Sequence, residues 1–250
     1  MSPDSAAAGE PYEILADRYD AVMSHVDYPG WARLVERLWG KFRKTPRRIL
    51  ETGAGTCRLT PQIAGPGRSI VSTDLSFPML ARGFARSPRR ACCDYRVLPF
   101  RDESFDAVLC LYDAINYCLT PSDLEAFFSE ARRVLVPGGI LVFDATTVRN
   151  SRLHFADELF HEVHGGADVI RHSWYDSPAR AQHNDFTFFL PRPDGTYVRR
   201  EESHVQRVWP RPAFQKMCQK AGLDLVGTFG EDLRPADADA FRLHMVALVP

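Results

Sequence analysis

The chain has 250 residues, 45% hydrophobic and 25% charged, with a formal net charge of −1. A chain of this mass buries about 73% of its extended surface, enough for a full core, and its composition excludes wholesale disorder, collagen and coiled coil. The near-neutral charge supplies no long-range field to gather nucleic acid or anionic lipid.

Residues 1–10, rich in Ser, Ala and Pro, read as disordered. They carry no basic start or apolar run of a secretory signal, and no later run reaches the roughly 18 apolar residues of a membrane span. A cytoplasmic protein is the expectation. Cys57, Cys92, Cys93, Cys110, Cys118 and Cys218 fit neither zinc nor disulfide spacing and read as reduced thiols. The excess of arginine over lysine, 27 to 4, reads as a coding bias.

PYEILADRYDAVM is a short amphipathic stretch, and Trp31, Leu34, Val35, Leu38, Trp39 and Phe42 form one helical face. RRILE is a first strand, followed by the glycine turn TGAGTC and a helix. SIVSTD is a second strand, and Ser76 caps the helix after it. ACCD is a weak third strand. SFDAVLCLYD is a fourth, its continuous apolar centre suited to burial on both faces. Thr120-Pro121-Ser122-Asp123 reads as a capping box opening a helix with Leu124, Phe127, Phe128, Ala131, Val134 and Leu135 on its apolar face. Pro137-Gly138-Gly139 should stop that helix before the strand ILVFDAT. Alternation of strand and helix at this period predicts βαβ units and a doubly wound parallel sheet.

The pattern changes after residue 146. Residues 149–162 are compatible with a helix. ADVIRHSWYD, QHNDFTFFL and TYVRREESHVQRVW follow as an antiparallel three-stranded insert, with Asp194-Gly195 as a turn. A helix over 212–221 and the strands LDLVGTF and RLHMVALV close the chain. The organisation expected is a helical cap over 11–45, a core over 46–146 and 210–250, and an insert over 147–209.

Gly53 and Gly55 follow the first strand, where a β-carbon would keep the backbone from a ligand. Asp74 ends the second strand, 19 residues beyond Gly55, where a carboxylate accepts both hydroxyls of a ribose. Asp94 ends the third, in reach of an adenine amino group. Glu51 would repel a pyrophosphate and attract an ammonium group. The ligand this pattern indicates is an adenosine with a cationic amino-acid tail.

ILETGAGTCRLT, VSTDLSFPML, CCDYRVLPFRDESFDAVLC and RRVLVPGGILVF resemble, in order and spacing, the motifs of class I S-adenosylmethionine-dependent methyltransferases. The resemblance implies a seven-stranded Rossmann-like sheet with an antiparallel last strand. It places Gly53 and Gly55 beside the methionine moiety, Asp74 on the ribose, Asp94 and Tyr95 at the adenine and Leu111 near the sulfonium, with Glu51, Leu75 and Met79 as further cofactor-binding residues. Two departures stand out: Cys57 replaces a small residue, and Glu51-Thr52-Gly53 replaces Asp-x-Gly. YEILADRYDAVMSHVDYPGWARLVERL and DGTYVRREESHVQRVWPRPAFQKMCQKAGL are similar to bacterial small-molecule enzymes, the amino-sugar N,N-dimethyltransferase and glycine N-methyltransferase-like group. Tyr12, Tyr19, Tyr28 and Trp31 would then cover the cofactor, with Tyr12 also facing the substrate.

The expected activity is methyl transfer to a small molecule, at an amine nitrogen, with O-methylation or cofactor binding without turnover as alternatives. A dehydrogenase is disfavoured because the third glycine of the dinucleotide fingerprint is missing. Asp113, Tyr117 and His204 are the catalytic candidates, and His204 is the base a hydroxyl acceptor would need. Asn116, His154, Trp174, Glu202 and Arg207 are further substrate candidates. Glu202, His204 and Gln206 share one strand face, Glu201, Ser203, Val205 and Arg207 the other; one face should be wet and one should look into the cleft. No metal is expected, since His154 and His161 lack a third ligand. Neither a nucleic-acid nor a membrane partner is expected, and a homodimer is possible.

Overall fold

A computed structural model describes residues 11–237 and 240–250; the expectation for residues 1–10 lies outside them. β1 (Arg48–Thr52), β2 (Ser69–Asp74), β3 (Arg90–Cys92), β4 (Phe105–Cys110) and β5 (Leu135–Thr146) are parallel neighbours in the order β5-β4-β1-β2-β3. β10 (Asp224–Phe229) and β11 (Arg242–Leu248) complete a seven-stranded sheet, β11 running antiparallel to both β10 and β5. This is the sheet expected from sequence.

Side chains alternate across the sheet and build one core on each face. Leu50, Val108, Cys110, Leu141 and Phe143 pack with α5 (Pro121–Val134) and α7 (Arg211–Lys220). There Phe127, Phe128, Phe143 and Phe214 form an edge-to-face chain with centroid steps of 5.2, 5.2 and 5.6 Å. Ile49, Ala107, Leu109, Ile140 and Val142 face α2 (Tyr28–Lys41), which buries Val35, Leu38 and Trp39 against them. Both predicted caps are present: Ser76 accepts from the Met79 N–H of α4 (Phe77–Arg82), and Thr120 and Asp123 form a reciprocal box on α5. The remaining short helices are α1 (Tyr19–Val22), α3 (Thr60–Ile63) and α6 (Val148–His154). No described helix is long and apolar enough to cross a membrane.

Two expectations are corrected. Pro137-Gly138-Gly139 does not separate α5 from β5; it bulges within β5, where pairing jumps from Phe105↔Leu135 to Ala107↔Ile140. The helix expected over 149–162 splits. α6 stops at His154, and β6 (Ala156–His164) follows, so Glu158 and His161 lie on a strand and the insert has four strands, not three. The cause is Gly165-Gly166. Both have positive φ, 58° and 78°, which makes a two-residue hairpin turn that pairs β6 with β7 (Ala167–Asp176). β8 (Ala181–Pro191) and β9 (Tyr197–Arg207) complete the order β6-β7-β8-β9. One face of this sheet is half-exposed. The other buries Val169, Phe186 and Phe188 against Leu15.

No residue of 156–207 belongs to either main core. Its two ends lie on opposite edge strands, three spacings or about 14 Å apart. A flexible linker of roughly eight residues spans that gap. Replacing residues 156–207 with it should leave a protein that unfolds cooperatively in urea; loss of the cooperative transition would show that the core needs the insert.

Candidate functional site

The sheet order reverses between β1 and β4, so loops leaving their carboxyl ends diverge and open a crevice. A cavity of about 410 Å³ lies there, walled by Gly53, Gly55, Asp74, Met79, Tyr95 and Tyr117 among others. Tyr19, Gly53, Gly55, Leu111 and Tyr112 also wall a second space of about 50 Å³, reached by Glu51, Tyr28 and Trp31. The glycine turn is tight: a β-carbon on Gly53 would stand 2.7 Å from Ala114 Cβ, and one on Gly55 3.2 Å from Met79 Cε. Both have positive φ, 62° and 56°. Cys57, the departure in this turn, also adopts positive φ, 58°, with a buried side chain.

Three carboxylates at the strand tips differ in environment. Glu51 is buried, and its Oε2 accepts from Thr60 Oγ1 at 2.5 Å and Ser72 Oγ at 3.3 Å. Burial outweighs those bonds and pushes its pKa up to about 7. Asp74 Oδ2 accepts from Gly55 N–H and Oδ1 from Ser76 N–H, both at 2.8 Å; burial still raises its pKa. Asp94 faces the same cavity, clamped by Arg96, whose Nη2 donates at 2.6 Å and whose Nη1 reaches Asp123 at 2.5 Å. Burial would raise the Asp94 pKa, but the Arg96 bonds prevail and lower it. Leu75 and Phe77 expose 66% and 69% of their surface at the cavity's lip.

At the opposite end a hydrogen-bonded chain leads inward. Tyr12 Oη lies 2.8 Å from Tyr117 Oη, which lies 2.9 Å from His204 Nδ1. His204 Nε2 lies 2.7 Å from Glu202 Oε1. Glu202 also accepts the backbone N–H of Tyr12 at 2.8 Å, Ile14 at 2.7 Å and Leu15 at 3.1 Å. Tyr12 and Tyr117 wall the cavity; His204, 4% exposed, stands behind them, and Glu202 is 0% exposed. The Glu202, His204, Gln206 face of β9 is thus the inward one.

Asp113 does not join His204 and Tyr117. Its Oδ1 accepts from Arg242 Nη1 and its Oδ2 from Gln206 Nε2, at 2.6 and 2.7 Å, and Arg242 also binds Asp144. Burial raises the pKa of both aspartates while Arg242 pulls them down. The guanidinium lies against Trp31 and Tyr112, 5.5 and 5.1 Å from their ring centroids. This cluster fixes Tyr112 and Asp113, both at positive φ. Arg242 was missed; its one sequence signal is a charge opening an apolar strand.

Four substrate candidates stand away from the cavity. Asn116 is a buried strut, donating to Arg207 O at 2.6 Å and accepting from Thr146 N–H at 3.2 Å. Arg207 covers Trp209 at 4.2 Å and donates to Leu119 O. His154 is exposed at the end of α6. Trp174 lines an outer groove, stacked between His172 and His183 at 4.6 Å each. Asn116, Arg207 and Trp174 are each drawn off by a partner the sequence does not reveal. Among the described residues, no group of three or more His, Cys, Asp or Glu is placed to hold a metal ion.

Truncating Glu202 orphans the buried Leu15 N–H, the part-buried Tyr12 and Ile14 N–H groups and one imidazole. Glu202→Ala should cost about 3–5 kcal/mol in denaturant unfolding at pH 7, the range for one broken buried charge pair. Burial would raise the Glu202 pKa, but His204 and the Ile14 and Leu15 N–H groups hold it below the usual range. Its stabilisation is therefore complete above the unfolded carboxylate value and lost as pH falls through the lower folded value. The difference between parent and variant should accordingly shrink below about pH 4. A difference independent of pH would contradict the ionised carboxylate.

Residues 50–143 match the family model described as a methyltransferase domain, which spans β1 to β5. The chain is 29% identical over 221 residues to "Putative methyltransferase YqeM" of Bacillus subtilis strain 168, covering 86% of this chain and 87% of that protein. Among solved structures it resembles an S-adenosylmethionine-dependent methyltransferase from Clostridium acetobutylicum ATCC 824, with TM-score 0.79, 20% identity and 95% and 98% of the two chains covered. It also resembles the sugar N-methyltransferase KedS8 from Streptoalloteichus sp. ATCC 53650, with TM-score 0.75, 20% identity and 98% and 96% covered. At that identity the two structural likenesses establish the fold, while the domain match covers the strands that carry the glycine turn and the tip carboxylates. Residues 50–143 thus carry a methyltransferase domain, and the chain has the fold of S-adenosylmethionine-dependent methyltransferases.

Proposed function

We propose that the protein methylates an amine nitrogen of a small molecule held between the core and the insert. The observation that carries this reading is the cavity of about 410 Å³, which runs from Asp74 to Tyr12 and Tyr117. Its size is that of a small-molecule pocket, and its walls are backbone, aromatic rings and a few polar groups. The sugar N-methyltransferase of the same fold is compatible with a nitrogen acceptor.

The residues present fit the cofactor. The glycine turn leaves room for ligand only while no β-carbon fills it. Asp74, pinned by two backbone N–H groups, retains lone pairs for ribose hydroxyls. Glu51, buried and without a cationic partner among the described residues, would gain one in the cofactor's ammonium group. When bound, S-adenosylmethionine supplies a methyl group on a sulfonium, an already activated leaving group. The protein then has to orient the nucleophile and exclude water. The cap and the insert do the excluding, with Tyr12, Tyr19 and Trp31 as the enclosing rings and the insert as a lid.

Incubation with labelled S-adenosylmethionine and a panel of amines, alcohols and phenols tests the acceptor. Label should pass to amines; transfer confined to hydroxyls would replace the reading with O-methylation.

Glu51 and Asp74 should separate in calorimetry with S-adenosylhomocysteine. Asp74→Ala should weaken binding about tenfold to a hundredfold, the loss of charge-assisted bonds worth about 1.5–3 kcal/mol. Glu51→Gln should weaken binding yet raise ligand-free stability at pH 8. The sign follows from a raised carboxylate pKa: between about pH 4.5 and 7 the folded state binds more protons, so stability falls as pH rises, and the neutral amide escapes that loss. A Glu51→Gln protein less stable than the parent at pH 8 would contradict it.

A further inference from the structure

We infer that Tyr117 and His204 form a two-step proton relay that takes the proton from the acceptor, with Glu202 and the segment 12–15 assembling it. The inference deepens the reading above and rests on it. His204 is 4% exposed and absent from the cavity wall, so it reaches a ligand only through Tyr117, which lies in that wall. The direction of the hydrogen bonds is fixed from the inside outward. Glu202, ionised, can only accept, so His204 Nε2 must carry a proton toward it at 2.7 Å. A neutral His204 therefore has its lone pair on Nδ1, and the Tyr117 hydroxyl, 2.9 Å away, donates to it. Tyr117 Oη then has lone pairs free to accept, and Tyr12 Oη, 2.8 Å away, occupies one such direction.

A protonated amine or a hydroxyl that takes the place of the Tyr12 hydroxyl meets an acceptor poised to receive its proton. The acceptor's N–H or O–H bond breaks as a proton passes to Tyr117 Oη. The Tyr117 O–H bond breaks as its own proton passes to His204 Nδ1. Tyr117 ends as a neutral phenol, His204 as an imidazolium paired with the Glu202 carboxylate, and the nucleophile keeps its electron pair. Tyrosinate never accumulates, which matters because burial holds both phenols well above their ordinary range. The acceptor class follows: the reacting atom must carry a proton to give, which favours amines and hydroxyls over carbon.

Glu202 also ties the relay to closure of the site. Its Oε1 serves both His204 and the Tyr12 N–H, while its Oε2 holds Ile14 and Leu15. The segment that roofs the cavity and the imidazole behind it thus share one carboxylate. The other groups around the relay are Phe186 against the His204 ring on the insert side and, facing Tyr12 or Tyr117, Asp113, Asp74 and Tyr19. None of the three is bonded to His204. In this scheme Tyr117 is the catalytic residue; His204 and Glu202 act through it.

Two measurements test this. Nitrogen NMR of 15N-histidine protein bound to S-adenosylhomocysteine at pH 8 needs no acceptor. It should show His204 protonated on Nε2 with an accepting Nδ1, and Tyr117→Phe should move the Nδ1 signal. Protonation on Nδ1, or no response to Tyr117→Phe, overturns the relay. The second measurement is pH-dependent kinetics with glucosamine and primary alkylamines. Tyr117→Phe should cut kcat by about 10² to 10⁴, the range of general acid–base catalysis, with the amine KM within a few-fold of the parent. His204→Gln should lower kcat by a comparable factor, again with the amine KM within a few-fold of the parent. An amine methylated by Tyr117→Phe at the parental kcat overturns the relay. A parent enzyme that methylates carbon but neither amine nor hydroxyl overturns the functional reading instead.

Discussion

A carboxylate removed from water must find donors or give up its charge, and Glu202 is where this chain meets that constraint most completely. It lies on β9 of the insert, yet three of its four partners are other than its own strand: the N–H groups of Tyr12, Ile14 and Leu15. The fourth is His204. Those backbone donors precede or open the 3-10 turn Leu15–Asp17, so neither a strand nor a preceding helical turn satisfies them. Segment and carboxylate each remove the other's desolvation penalty. The roof over the cavity is positioned by that exchange.

The same principle sorts the other acidic groups. Asp74 is satisfied by backbone alone, which leaves its charge uncompensated and open to a polar ligand. Glu51 has hydroxyl donors but no cation among the described residues, and burial raises its pKa accordingly. Asp94 and Asp113 each have an arginine and are held firmly. A structural ion pair and a ligand-binding carboxylate have the same residue type in the sequence; what separates them is whether a guanidinium has already arrived. Arg242 arrives from the last strand, so the loop after β4 is shaped by a residue 129 positions away from Asp113.

The insert and the core divide the work by how their strands are buried. The central parallel strands β1, β4 and β5 bury apolar side chains on both faces. The insert strands alternate, so a single strand presents Glu202, His204 and Gln206 inward while Glu201 and Ser203 remain half-exposed. A one-residue slip of β9 would turn that polar series to solvent. Asn116 bonded to the Arg207 carbonyl and Trp209 bonded to the Cys118 carbonyl pin its end against the core.

The sequence by itself determined what local spacing controls. Apolar period and length separated strands from helices, Ser76 and Thr120 marked helix starts, and Gly53, Gly55 and Asp74 marked the crevice, because these features depend on neighbours within a few residues or on one βαβ unit. Even the Gly165-Gly166 turn was legible, and weighing it would have recovered β6. Only the tertiary structure decided which polar groups face the cavity and which serve as struts. Asn116, Trp174 and Arg207 looked as available as Tyr117, and Asp113 as free as Asp74. Their partners lie on distant segments, and a hydrogen bond or ion pair forms between whatever groups packing brings within about 3 Å, irrespective of separation along the chain. Tyr117 met His204, and Arg242 met Asp113 and Asp144, because burying the insert and closing the sheet brought these groups within hydrogen-bonding distance.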